Sequence, residues 1–174
     1  MFRLIALSLV TFFFLGCGNQ VTFPVSIPIP EHKVEGDPLL DAVNGLIAGF
    51  LPPISVDISE SREFERHDVD RIESIRLTEL TLALTENSDA ENFNFLDRVA
   101  IEATDESGER SVQVALLDPV PSDVRNLRFQ VTDEELNDIF GTDFTLNFKA
   151  RGRPPRTDAK FDGEATFSVQ ARVL

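Results

Sequence analysis

The sequence predicts an all-β domain: an antiparallel β-sandwich of about eight strands, with one early amphipathic helix and one short late helix. A closed β-barrel is the alternative. Three observations lead there. Apolar and polar residues alternate strictly in segment after segment, as half-buried strands require. Turn residues separate those segments at short spacing. A 174-residue chain that is 42% hydrophobic has material for one domain with a substantial core. No internal repeat and no second domain boundary is evident, so residues 21–174 read as one unit.

The first strand is Val21, Phe23, Val25, Ile27 and Ile29, interleaved with Thr22, Pro24, Ser26 and Pro28. Pro24, Pro28 and Pro30 all lie at even positions, so their missing N–H groups fall along one side. Proline is tolerated in sheets at such free edges, which makes this an edge strand whose proline side resists unwanted pairing. Asp37-Pro38 then reads as the N-cap and first position of a helix. Its buried face would be Leu39, Leu40, Val43, Leu46, Ile47, Phe50 and Leu51, and Pro52-Pro53 would end it. Gly45 and Gly49 form a GxxxG on this segment, more simply read as part of a helix plugging a sheet core than as a membrane-dimer contact.

From Ile54 the pattern is β. Ile54, Val56 and Ile58 alternate with Ser55, Asp57 and Ser59, and a charged stretch around Phe64 follows. The segment from Ile72 to Thr85 changes phase: Ile75 and Leu77 are odd, whereas Leu80, Leu82 and Leu84 are even. One extra residue near Thr78-Glu79, a β-bulge, would restore a single buried face. Four strands follow by alternation: Val99-Ile101-Ala103, Val112-Val114-Leu116, Leu127-Phe129-Val131 and Phe144-Leu146-Phe148-Ala150. Ser107-Gly108 suits a tight turn between the first two. Thr132-Asp133-Glu134-Glu135 reads as a capping box for a short helix with Leu136, Ile139 and Phe140 that stops at Gly141. The last strand buries Phe161, Ala165, Phe167, Val169, Ala171 and Val173.

Ahead of all this, Met1-Phe2-Arg3 gives one positive charge, and Leu4 to Leu15 is apolar except for Ser8 and Thr11. A charged start, a brief apolar run and a small residue at the cut describe a secretory leader. The run is too short to span a bilayer, which takes about 20 apolar residues. Leu15-Gly16-Cys17 resembles the lipobox of bacterial lipoproteins. The resemblance implies that residues 1–16 are a signal peptide, that Cys17 is the lipidation site and new N-terminus, and that the protein is held in the membrane by acyl chains such as palmitate. Gly18 follows, rather than the Asp that marks inner-membrane retention in some such proteins, so by analogy the outer membrane is favoured. Residues 17–20 form only a short linker. Four extended residues reach about 14 Å, so the domain must sit close to the membrane.

Composition narrows function further. The chain has 16 basic and 30 acidic residues, a net charge of −14. Losing the leader removes Arg3 and no acid, and such a charge disfavours nucleic acid as a partner. The only cysteine would be spent on lipid, so no disulfide forms and packing alone must stabilise the fold. Fifteen Phe but no Trp or Tyr make an aromatic binding platform unfavourable.

Catalytic candidates are sparse. There is no HExxH, GxSxG, P-loop or dinucleotide fingerprint. His32 lies beside the proline-rich edge, and His67 with Asp68 lacks the further ligands that zinc would need. Glu86, Asp89, Glu91 and Asp97, with Asn87 and Asn92, could offer oxygen to calcium, but the EF-hand spacing is missing. No cofactor, metal or catalytic residue is assigned. Arg151, Arg153 and Arg156, flanked by Lys149 and Lys160 and stiffened by Pro154-Pro155, form the one basic cluster. They are the candidate docking point for an acidic envelope partner or a headgroup phosphate, unless nearby acids pair with them. The expectation is therefore a lipid-anchored, non-enzymatic envelope module with a structural or protein-interaction role. The alternative is a carrier of a hydrophobic small molecule or lipid, with Phe129, Phe144, Phe148 and Phe167 lining its cavity.

Overall fold

A computed structural model describes residues 19–37, 45–47, 50–105 and 107–173. Among them the chain forms two antiparallel sheets packed face to face and not closed into a barrel. The first has the order β1-β10-β4-β7, from β1 (Asn19–Val34), β10 (Ala159–Val173), β4 (Val69–Leu84) and β7 (Asn126–Arg128). The second has the order β2-β9-β5-β6-β8, from β2 (Gly45–Leu46), β9 (Asp143–Gly152), β5 (Leu96–Thr104), β6 (Ser111–Leu117) and β8 (Gln130–Val131). β3 (Ile54–Asp57) also pairs with β9.

β1 is an edge strand, as its prolines require. Among the described residues it pairs only with β10, running from Asn19 opposite Val173 to Val34 opposite Ala159. The register continues unbroken through Pro24 and Pro28. That is allowed because residues of one parity in an antiparallel pair exchange both main-chain bonds with the partner, while those of the other parity point away from it. Phe23, Val25 and Ile29 are buried. One bulge between Ile29 and His32 then swaps the phase, and Val34 becomes the buried residue.

The phase change in β4 is a bulge at the expected place. Thr166 pairs with Glu79 and Phe167 with Leu77, so Thr78 is the extra residue. Ile75, Leu77, Leu80, Leu82 and Leu84 consequently all face the core. On the other side of β10, Gly163 sits opposite Ile29 and Leu82. A Cβ there would collide with the Thr81 carbonyl and the Leu82 side chain, which is why the alternation of the last strand skips this position.

The core joins the sheets through aromatic contacts. Phe144 of β9 meets Phe167 of β10 edge-on at 5.6 Å, and Phe161 stacks on Phe50 at 4.9 Å while Phe93 approaches it edge-on at 5.9 Å. No polar or charged side chain is buried among the described residues. Each Phe or Leu held in such a core contributes about 1.5–3 kcal/mol relative to exposure.

Several expectations need correction. The early helix falls partly on residues 38–44 and 48–49, which lie outside the described set. Where the chain is described it is extended: Gly45 and Leu46 pair with Gly152 and Arg151, and the Ile47 N–H donates to the Ala150 carbonyl. No helix passes through residues 45–47, and Gly45 carries no helical GxxxG. Glycine weakens helix, and β9 offers an open edge that the extended segment fills. In the charged stretch the structure has instead an unforeseen short helix, α1 (Arg62–Arg66), whose N-cap Ser61 accepts from the Phe64 N–H.

The strand expected over Leu127-Phe129-Val131 is divided between the sheets. Leu127 pairs with Leu82 in the first, while Val131 pairs with Ala115 in the second. Phe129 is the crossing point, buried, with its N–H given to the Leu80 carbonyl. In β6 a bulge at Val114 leaves Ala115 and Leu117 buried, in place of Leu116. Asp105 holds the β5–β6 turn, accepting from Ser107 Oγ and the Glu109 N–H, with Gly108 at φ 72°.

The late helix, α2 (Leu136–Phe140), stops at Gly141 as foreseen, but the capping box does not form. Thr132 turns its hydroxyl to the carbonyls of Gln113 and Val114. Glu135 is drawn to β4, where its carboxylate accepts from Ser74 Oγ at 2.6 Å, the Ile75 N–H at 2.6 Å and Arg76 Nε at 3.0 Å. The carboxylate takes up a main-chain donor on β4, on the stretch of that strand past the end of β7. Burial opposes its charge, yet those hydrogen bonds prevail and hold its pKa below the usual glutamate value.

Glu135→Ala should therefore cost about 2–3 kcal/mol, as loss of charge-assisted bonds and an orphaned N–H imply. The depressed pKa means that this stabilisation is complete above the ordinary glutamate value and lost as pH falls through the lower folded value. Urea unfolding of wild type and variant at pH 7 and at pH 3 should show the gap between them shrinking in acid.

Candidate functional site

The two loop constellations singled out in the sequence meet in space. Residues 88–95, following β4, and residues 153–158, joining β9 to β10, face each other across a cleft of about 530 Å³. Gly36 and Asp37, following β1, close a third side. The cleft stands at one end of the first sheet, beyond Val34, Leu84 and Ala159.

Asp158 ties the three segments together. Its carbonyl accepts from the N–H groups of Asp89 and Ala90, at 3.0 and 3.1 Å. Its carboxylate accepts from the Gly36 N–H at 2.9 Å and pairs with Lys33 Nζ at 2.7 Å. These bonds, the Gly36 N–H foremost, lower its pKa. Further main-chain bonds fix the walls: Asp37 N–H to the Pro155 carbonyl, Arg153 N–H to the Phe95 carbonyl, and Lys160 N–H to Ser88 Oγ. Asn94 exchanges bonds with Asp123, donating to its carboxylate and accepting from its N–H. Asp123 has φ 58°, a left-handed conformation that Asp tolerates because its short side chain bonds locally.

One wall carries Asp89 and Glu91; the other carries Arg153 and Arg156, with Phe95, Pro154 and Pro155 giving apolar surface between them. Of the three candidate arginines, only Arg153 and Arg156 line the cleft. Arg151 lies on the exposed face of β9, flanked in register by Arg98 and by the exposed Leu46. Lys149 is drawn away by Glu102 at 2.6 Å. The basic cluster of the sequence is thus divided, because β9 ends at Gly152: Lys149 and Arg151 share the exposed face of the strand, and Arg153 and Arg156 belong to the loop beyond it.

Cys17 lies outside the described residues. Among the described residues no group of three or more His, Cys, Asp and Glu side chains is placed to hold a metal ion. His67 caps the end of α1 and stacks on Phe23 at 4.8 Å. Of the four phenylalanines considered for a ligand cavity, Phe129, Phe144 and Phe167 are buried in the core, Phe148 is half-buried, and none forms part of the cleft wall. Sequence reasoning missed Asp37 and Asp158 as parts of this site. Asp158 had a faint signal, an acid closing a Pro-Pro loop; Asp37 had none apart from its reading as a cap.

No family model and no curated protein matches the chain. Among solved structures it is similar to the decameric BFDV capsid protein, at 10% identity and a TM-score of 0.47, covering 88% of this chain and 100% of that one. The 60-mer form of the BFDV capsid protein gives 10% identity and 0.46, over 90% and 95%. Mud crab tombus-like virus gives 12% identity and 0.34, over 90% of each chain. At such TM-scores the likeness establishes neither a common fold nor a common function.

The close approach of the second and third walls can be tested through Gly36. A Cβ at this position would fall on the main chain of Thr157, inside contact distance. Gly36→Ala should lower the melting temperature by several degrees and speed amide exchange at Asp37, Asp89 and Ala90. Gly45→Ala, where a Cβ meets nothing within 4 Å, should leave those three amides unchanged.

Proposed function

We propose that this chain is a lipid-anchored, non-enzymatic β-sandwich of the bacterial cell envelope, outer membrane favoured, that works as a structural or protein-interaction module. The observation that carries this reading is the sequence Leu15-Gly16-Cys17 set directly before a strand that begins at Asn19. A lipidated Cys17 leaves one residue, Gly18, and about 7 Å of chain between the anchored cysteine and the first strand. Each buried methylene contributes about 0.8 kcal/mol, so two or more acyl chains make release negligible.

The non-enzymatic part has its own support. Displaced pKa values mark catalytic groups when they serve no structural bond. Here the carboxylates lowered among the described residues serve structure: Glu135 latches to β4, Glu102 binds Lys149, Asp57 binds Ser59, Asp105 holds a turn and Asp158 joins the cleft walls. The carrier reading has less support, since Phe144 and Phe167 pack against each other in the core.

Mass spectrometry of protein from the membrane fraction should give an N-terminal cysteine at residue 17 carrying acyl chains. Cys17→Ser should move the protein to the soluble fraction. Membrane protein with a free Cys17 thiol, or a Cys17→Ser variant still in the membrane, contradicts the anchor.

A further inference from the structure

The two edges of the first sheet differ in chemistry. On the β1 side, Pro24, Pro28 and Pro30 remove main-chain donors. On the other side, β7 pairs with Thr81–Ala83 of β4, and Glu135 takes the Ile75 N–H. At the start of β4, Val69, Asp70, Arg71 and Ile72 have no strand beside them on that side among the described residues. No proline interrupts them. Asp68 precedes them at φ 45°, a left-handed turn, so the open stretch is bounded by that turn at one end and by Glu135 at the other.

The four side chains sort by face. Asp70 is the extra residue of a bulge against β10, between the Arg71–Arg172 and Val69–Val173 pairs. Asp70 and Arg71 are consequently both exposed, while Val69 and Ile72 are half-buried against the core. The register places Arg71 opposite Arg172, a like-charge pair. Arg172 has its own acid, Glu73, at 2.9 Å. Arg71 has none, and among the described residues neither Asp70 nor Arg71 makes an ion pair or a side-chain hydrogen bond.

The sequence Val69-Asp70-Arg71-Ile72 is complementary to itself when reversed. In two copies laid antiparallel, Val69 meets Ile72, Asp70 meets Arg71, Arg71 meets Asp70 and Ile72 meets Val69. A two-fold axis between residues 70 and 71 demands this reciprocity, since both partners present the same patch. The bulge does not upset the match, because both copies carry it at the same place. Each Arg71 gains the carboxylate that its own chain withholds, and each Val69–Ile72 pair extends the apolar side of the sheet. A slip of one residue is penalised in either direction: it sets Arg71 against Arg71 or Asp70 against Asp70.

We propose that this edge pairs with a second copy of the chain, β4 against β4 and antiparallel over Val69–Ile72, joining two first sheets into one. This gives the interaction role proposed above its partner, and it does not depend on the anchor. Four residues a side make a short ladder, so the dimer is concentration-dependent rather than obligate.

The test uses the full chain with Cys17→Ser, so that neither lipid nor a disulfide can join two copies, followed by sedimentation equilibrium. This chain should show a monomer–dimer equilibrium. Asp70→Arg sets arginine against arginine, and Arg71→Asp sets aspartate against aspartate, so each change alone should weaken the dimer about tenfold or more. An equimolar mixture of the two variants restores both opposite-charge pairs and should recover the starting affinity as a one-to-one heterodimer. That recovery also shows that both variants are folded. A chain that stays monomeric up to about 1 mM overturns the proposal. So does a dimer that the single reversals leave unchanged, or a mixture that associates no more tightly than either variant alone. A dimer found here, with no lipid on Cys17 of the unaltered protein, would sink the anchor and uphold the edge.

Discussion

β1 pairs with β10 from end to end, and the placing of the other strands follows from that contact. It joins the first described strand of the chain to the last, from Asn19 opposite Val173 to Val34 opposite Ala159. Because β10 also carries β4 along almost its whole length, this contact decides which side chains of three strands face the second sheet. A slip of one residue would turn Phe23, Val25 and Ile29 outward and bring Thr22, Pro24 and Ser26 into the core. The register is specified by apolar alternation on one face and by the prolines on one edge, and both point to the same pairing. Such a contact between the ends of a chain is formed at a high loop-closure cost, so it must be reinforced by packing. Phe161 and Phe167, on the strand between β1 and β4, provide that packing through Phe50, Phe93 and Phe144.

The same pairing organises the ends of the molecule. Three segments leave the first sheet together beyond Val34, Leu84 and Ala159, and they have no common strand to hold them. Asp158 holds them instead, with its carbonyl on one loop and its carboxylate on another. A related device operates at Glu135, where a carboxylate satisfies a main-chain donor on β4. In both places one acid does what a further strand would otherwise do. A strongly acidic chain with a wholly apolar core has these residues to spare, and their charge stays at the surface, where hydration limits its cost.

Much of this was legible in the sequence because strands with one buried face write their periodicity plainly. β1 as an edge, the bulge at Thr78 and the turn at Ser107-Gly108 all follow from local pattern. The helix expected across residues 45–47 did not, because Leu46, Ile47 and Phe50 fit either period and only the vacant edge of β9 decides between them. The division of Leu127-Phe129-Val131 between two sheets was equally hidden: alternation says which side is buried, not which neighbour supplies the hydrogen bonds. The cleft lay between these cases. Its acids and arginines were visible as two separate loops, but their meeting depends on β4, β9 and β10 ending at the same pole, which is a property of topology. Glu135 carried a misleading signal, since its place in a capping box concealed its bond to β4.

The full-length register of β1 against β10 sets Asn19 and the cleft at opposite poles of the first sheet. Spin labels at the exposed Gln20 and Thr157, in a chain with Cys17→Ser, measure that separation directly by pulsed electron resonance. The register predicts one narrow distribution at about 45–50 Å. A main distance below about 30 Å, or a broad distribution without a dominant peak, would mean that β1 does not run the length of β10.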